Sequence, residues 1–95
     1  MAADVAGYSR LMGDDERATI ATLRDYREIF RGFIEANGGR VVDMAGDSVL
    51  AVFDSAAGAV QAAVEAQAEL GLRNDALDEA RRMRFRIGVN LGDIE

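Results

Sequence analysis

Apolar residues recur at helical spacing through the first third of the chain. Ile20, Leu23, Phe30, Phe33 and Ile34 fall on one face, and the pattern predicts a single long helix from a candidate N-cap at Ser9. Asp14, Asp15 and Glu16 stand early in it, where acids suit the helix dipole. Asn37-Gly38-Gly39 is a strong stop signal. Ahead of this helix, Met1 to Val5 is apolar except for Asp4 and reads as the end of a buried strand, followed by a turn at Ala6-Gly7-Tyr8-Ser9. Beyond it the period changes. Arg40–Ala45 and Ser48–Phe53 read as strands around a tight Gly46-Asp47 turn, with Val41, Val49, Leu50, Val52 and Phe53 supplying β-type composition. Ser55 caps a second predicted helix, whose inner stripe is read as Ala59, Val60, Ala63, Val64, Gln67 and Leu70. Arg73 to Arg82 is charged and reads as a loop with a short helical turn. Met83 to Leu91 alternates apolar and polar positions as a half-buried strand does.

The order is β-α-β-β-α-β. It predicts an α+β, ferredoxin-like sheet with two helices on one face. Residues 1–95 read as a single partial domain whose ends look cut: the chain opens on too few residues for a full strand and closes at Gly92-Asp93-Ile94-Glu95 in extended chain. Many activities share this fold, so function must come from particular residues.

Composition narrows the chemistry. There is no cysteine and no histidine, so a metal site would use oxygen ligands and favour hard cations such as magnesium or manganese. A net charge of −6 argues against a nucleic-acid surface, yet permits a nucleotide whose phosphates a metal neutralises. No apolar run approaches membrane-spanning length and no signal-peptide pattern is present. The segment is expected to be cytoplasmic and to make no membrane contact.

Two aspartates sit where polar groups are costly. Asp4 ends an apolar strand and Asp47 lies at the hairpin tip in Ala45-Gly46-Asp47-Ser48. Alone, Asp47 reads as a turn aspartate and Asp4 as an N-terminal helix cap. In a ferredoxin-like sheet the first strand lies beside the third, so the two carboxylates can come together, and a divalent cation relieves the repulsion of such a pair. Gly7-Tyr8-Ser9 stands between Asp4 and a helix start, where backbone N–H groups can hold phosphate oxygens; a simple capped turn is the plainer reading of those three residues.

Three motifs carry a resemblance. Ala3-Asp4-Val5-Ala6-Gly7-Tyr8-Ser9-Arg10-Leu11 resembles the Asp-hydrophobic-x-Gly-aromatic-Ser/Thr segment that opens the class III adenylyl/guanylyl cyclase catalytic domain. Gly46-Asp47-Ser48-Val49-Leu50-Ala51-Val52-Phe53 is similar to that family's Gly-Asp hairpin, and Phe85-Arg86-Ile87-Gly88-Val89-Asn90-Leu91-Gly92 to its Arg-Ile-Gly strand. They stand in the family's order and spacing, over the whole chain, and are closest to bacterial members. The resemblance implies the N-terminal half of such a domain. It also implies two Mg2+ or Mn2+ ions on Asp4 and Asp47, with help from the Val5 carbonyl. Ala6, Gly7, Tyr8 and Ser9 would contribute backbone contacts to the β- and γ-phosphates, with Gly46 beside Asp47. The implied reaction turns ATP or GTP into a 3′,5′-cyclic nucleotide and pyrophosphate for second-messenger signalling, one ion activating the ribose 3′-hydroxyl and the other holding the triphosphate.

The resemblance also frames two departures. Four positions before the hairpin aspartate, adenylyl cyclases commonly carry a lysine that contacts adenine and guanylyl cyclases tend to carry glutamate; here the residue is Asp43. Asp43 reads equally as a base contact or as a solvated outward residue. The family's Asn-x-x-x-Arg helix, which acts across a dimer interface, has no counterpart before Glu95, so a homodimer partner is implied and the chain alone is expected to bind metal-nucleotide weakly without efficient cyclisation. Arg84 and Arg86 read as the polar face of a strand. The competing reading is a cyclase-like dimerisation or regulatory module that does no chemistry.

Overall fold

The computed structural model describes residues 1–90. The chain runs β1 (Ala2–Val5), α1 (Tyr8–Asp14), α2 (Glu16–Ala36), β2 (Gly39–Asp43), β3 (Val49–Phe53), α3 (Ala56–Asp75), a 3-10 turn (Glu79–Arg81) and β4 (Phe85–Gly88). The strands form one antiparallel sheet in the order β2-β3-β1-β4. This is the expected ferredoxin-like arrangement. Burial alternates along the strands: Ala3, Val5, Val49, Ala51 and Phe85 face α2 and α3 and are buried, whereas Ala2, Leu50, Val52, Arg86 and Gly88 stand exposed on the open face. The core joins those strand residues to Leu23, Tyr26, Phe30, Ile34, Ala66, Leu70 and Met83. Phe30 and Phe85 meet edge-inclined, their ring centroids 5.6 Å apart.

The long helix expected from Ser9 is two helices. Asp15 is extended (φ −160°) and its carboxylate accepts the Ala18 amide at 3.0 Å, so the acidic run begins a new helix instead of lining the first turn of an old one. Ser9 is not the cap of α1; that position belongs to Gly7, whose φ of 66° makes the turn out of β1. Ile20 turns away from the core, while Leu23, Phe30 and Ile34 keep the predicted face. The α1–α2 break is knotted by a fully buried hydroxyl. Thr19 Oγ1 lies 2.8 Å from the Leu11 carbonyl and 2.7 Å from that of Asp15, sharing its one proton between them, and accepts from Arg81 Nη2 at 2.6 Å.

Asn37 and Gly38 end α2 as expected, and Ser55 caps α3 by accepting the Gly58 amide at 3.0 Å. The stripe expected on α3 is rotated, however. Ala59, Ala62, Ala66, Leu70 and Asn74 face inward, and Val60 and Val64 are 52% and 60% exposed. The smallest side chains let α3 lie close to α2 and the sheet. The β2–β3 connection is also longer than a two-residue turn. It spans residues 44–48, and the pairing shifts at a bulge between Val41 and Asp43. β4 is shorter than the predicted strand, ending at Gly88. Leu91, the predicted end of that strand, and Gly92 of the third motif lie outside the described residues.

Two anchors fix β4. The Asn74 side chain accepts from Tyr26 Oη at 2.7 Å and from the Met83 amide at 3.0 Å, and donates to the Met83 carbonyl at 2.8 Å. Gln67 Nε2 donates to the Phe85 carbonyl at 2.9 Å. Among the described residues no buried side-chain polar atom is left unpaired.

Candidate functional site

The first and third strands bring the motif aspartates together for a simple reason. β1 pairs with β3 through Ala2↔Leu50 and Ala3↔Val49, and the ladder stops there. The next β1 amide facing β3, that of Val5, has no strand partner, and Asp47 Oδ2 accepts it at 3.1 Å. The hairpin aspartate is thereby bound to the residue that directly follows Asp4. Its loop is held in turn. Gly46 adopts φ 57°, Ser48 bonds the Ala45 carbonyl through both its amide (3.0 Å) and its hydroxyl (2.7 Å), and Arg27 Nη1 of α2 donates to the Gly46 carbonyl at 2.9 Å. Sequence patterning did not single out Arg27; its position on α2 gives no sign of the hairpin above it.

Asp4 points to the open face, where it is half-buried. Its register partner on β4 is Arg86, and Arg86 Nε donates to Asp4 Oδ1 at 2.8 Å. The hydrogen bond to Asp4 raises the Arg86 pKa most, the charge of Asp4 adds to this, and the charge of Asp47 raises it further. One guanidinium therefore feels both motif carboxylates. The alternation of β4 put Arg86 on the polar face, as expected, but only the β1–β4 register reveals its partner.

Asp43 pairs with Leu50 on the same open face. Asp4, Asp43, Ser48, Leu50 and Arg86 line a shallow, open groove of about 510 Å3. Val5 contributes its amide to Asp47, and the Ala6 amide donates to the Arg84 carbonyl at 2.8 Å. Gly7 is exposed at the left-handed turn, the Tyr8 ring packs against the core, and Ser9 is exposed in the first turn of α1. Asp47 is thus bound beside Asp4 through Val5, Asp43 stands further along the same groove, and Ala6 to Ser9 lead directly away from β1.

The donor set suits a hard divalent ion. Every available ligand is oxygen, and each motif aspartate has one carboxylate oxygen, Asp4 Oδ2 and Asp47 Oδ1, that accepts no hydrogen bond among the described residues. No group of three His, Cys, Asp or Glu side chains gathers anywhere among the described residues, so an ion held by the two aspartates would need backbone, substrate or water oxygens as well. No helix among the described residues is long and apolar enough to cross a membrane.

Comparison with known proteins bears on the sequence and the fold. No protein-family model matches the chain. It is 42% identical over 95 residues to the Rhizobium meliloti (strain 1021) protein named "Putative adenylate cyclase 3", covering 99% of this chain and 16% of that protein. A crystal structure of an adenylate/guanylate cyclase/hydrolase from Silicibacter pomeroyi superposes with a TM-score of 0.85 at 39% identity, over 96% of this chain and 54% of that one. A bacterial light-regulated adenylyl cyclase shares the fold with a TM-score of 0.80 at 20% identity, over 88% of this chain and 26% of that one. The chain spans about a sixth of the curated relative and about half of the Silicibacter pomeroyi structure. By sequence and by fold it resembles a part of these adenylyl/guanylyl cyclases.

Proposed function

We propose that this chain supplies the metal- and triphosphate-binding side of a nucleotidyl cyclase that converts ATP or GTP into a 3′,5′-cyclic nucleotide and pyrophosphate. The observation that carries the reading is the Asp47 carboxylate on the Val5 amide at 3.1 Å, one residue beyond Asp4. Bound Mg2+ or Mn2+ ions, held by Asp4, Asp47 and the Val5 carbonyl, would activate the ribose 3′-hydroxyl and neutralise the triphosphate. The chain's own residues do the positioning. Val5 N–H fixes one oxygen of Asp47, which leaves the other with a set direction. Asp4 is carried on β1, where Arg86 of β4 is its register partner. The turn at Gly7 brings the Ala6 to Ser9 backbone away from the carboxylates without a side chain at the bend. Asp43, in the same groove, can accept from the N1–H and amino group of guanine or from the 6-amino group of adenine.

The reading implies a second copy as partner. Val42, Leu50 and Val52 are 43%, 46% and 44% exposed, and Leu50 and Val52 lie on the open sheet face beside the groove. A homodimer would cover that apolar surface and bring in the complementary half-site. It also implies a cytoplasmic location, where nucleoside triphosphates are abundant.

The test is coupled ligand binding followed by product analysis. Manganese with ATP or GTP is expected to raise the melting temperature by a few degrees, roughly the effect of a ligand near its Kd on a small domain. Neither component alone should do so, and Asp47→Asn should abolish the rise. Mass spectrometry of the same mixtures then asks whether cyclic AMP or cyclic GMP forms. The Asp4–Arg86 ion pair gives weight to a second reading, a pairing module that does no chemistry, because a positive charge already sits on one of the carboxylates. That reading predicts dimerisation with no coupled metal-nucleotide effect.

A further inference from the structure

Arg86 is the feature of the groove that the proposed chemistry does not use. It stands on the edge strand β4, its side chain is 69% exposed, and it nonetheless donates to Asp4 Oδ1 at 2.8 Å across the β1–β4 register. Asp4 takes no other hydrogen bond among the described residues, and the charge of Asp47 reaches the same guanidinium. A cation is therefore already paired with one of the two aspartates and offsets part of their repulsion. A divalent ion between them would compete for the charge of the same Asp4 carboxylate and meet the guanidinium as a like charge. A long, exposed side chain on an edge strand can swing into the groove when its partner is taken, at little cost to the fold.

Resting on the metal-binding reading above, we propose that Arg86 is the resident counter-cation of Asp4. It is a built-in competitor that a divalent ion must displace, so that metal loading and release of the guanidinium into the groove are one event. The ligand is a hard divalent cation. The consequence is a site with one of its two carboxylates already paired, and kept from binding metal at low concentration, until enough cation or metal-nucleotide is present to break the pair.

The experiment is a Mn2+ titration of the 95-residue chain followed by NMR, reading paramagnetic broadening of the Val5 and Asp47 amides. Arg86→Gln should lower the half-broadening concentration by about two- to fivefold, the strength of one exposed ion pair. Arg86→Lys, which keeps the charge, should stay nearer the wild type. Arg40→Gln, which removes a charge from the same open face without touching Asp4, should change it little. An unchanged or raised concentration in Arg86→Gln, with Asp47→Asn still losing the broadening, overturns the competitor role and leaves the metal site standing. An equal gain in Arg40→Gln also overturns it, since the effect would then be general charge. Absence of selective broadening in both wild type and Arg86→Gln overturns the metal reading itself and the competitor role with it.

Discussion

The Asp47 carboxylate stands in for a missing strand: it accepts the Val5 amide at 3.1 Å where the β1–β3 ladder has ended at Ala3. One side chain thus has two separable duties, an acceptor for a half-buried backbone donor and a negative charge beside Asp4.

Two substitutions separate those duties. Asp47→Asn keeps an oxygen acceptor and removes the charge, so folding stability should change by less than about 1 kcal/mol while Mn2+ binding is lost. Asp47→Ala removes both, and leaves the Val5 donor to find water; it should cost about 1–2 kcal/mol in addition. Urea denaturation measures the first quantity and Mn2+ titration the second. Equal destabilisation by the two variants would show that the Val5 bond contributes nothing.

Asn74 should behave as the main fastener of β4. Asn74→Ala strands the Tyr26 hydroxyl and both backbone groups of Met83, and should cost about 2–4 kcal/mol. Hydrogen exchange should localise the loss to residues 83–88, the segment that carries Arg86. Uniform loss of protection across the sheet would contradict this.

Tyr26 gives the same fastener a pH dependence. Burial pushes its phenol above the ordinary 10.0, against the lowering effect of the Arg73 charge and with a small raising effect from Asp25. The folded state therefore holds this proton more tightly than the unfolded chain. Its contribution is fully present below pH 10.0 and is lost as the pH rises through the folded value. Tyr26→Phe should be less stable at neutral pH by about 1 kcal/mol and should show a shallower decline above pH 10.0. Parallel stability curves for the two proteins would show that Tyr26 keeps an ordinary phenol.

Strand alternation made the sheet legible in the sequence. It separated Met83 and Phe85 from Arg84 and Arg86 correctly, and the β-α-β-β-α-β order alone implied that the hairpin aspartate can lie close to the end of the first strand. Helical periodicity was less decisive. A helix that restarts at Asp15 has the same composition as one that continues through it, and only the extended backbone and the capped Ala18 amide distinguish them. In α3, alanines and valines alternate so closely that two rotations bury similar apolar counts; close approach to α2 selects the smaller set. The pairing of Arg86 with Asp4 escaped notice because it is set by register, which residue type does not encode.

The rotation of α3 is itself open to test. Ala62→Leu and Ala66→Leu place three extra carbons at fully buried positions and should each cost about 1–3 kcal/mol through overpacking. Val60→Ala and Val64→Ala, on the exposed side, should be neutral within about 0.5 kcal/mol, with helix propensity favouring alanine. The opposite ranking in thermal melts would restore the stripe that the valines suggested.

The Thr19–Arg81 contact at 2.6 Å joins the break between α1 and α2 to the turn that leads into β4. Thr19→Val preserves shape at a fully buried site and removes the hydroxyl, so its cost should reflect hydrogen bonds alone, about 1–2 kcal/mol. Arg81→Met loses the same bond together with weaker contacts to the Leu11 and Asp15 carbonyls at 3.5 and 3.3 Å. Because the two residues share one interaction, the double variant should be less destabilised than the sum of the singles, by roughly 0.5–1.5 kcal/mol. Strict additivity in denaturant unfolding would mean that the guanidinium and the hydroxyl act independently, and that α1 is held by the Leu11 packing rather than by this bond. Coupling would instead tie the helix that follows the Gly7 turn to the segment that delivers Arg86, so that loosening one end of the sheet is felt at both sides of the Asp4–Asp47 pair.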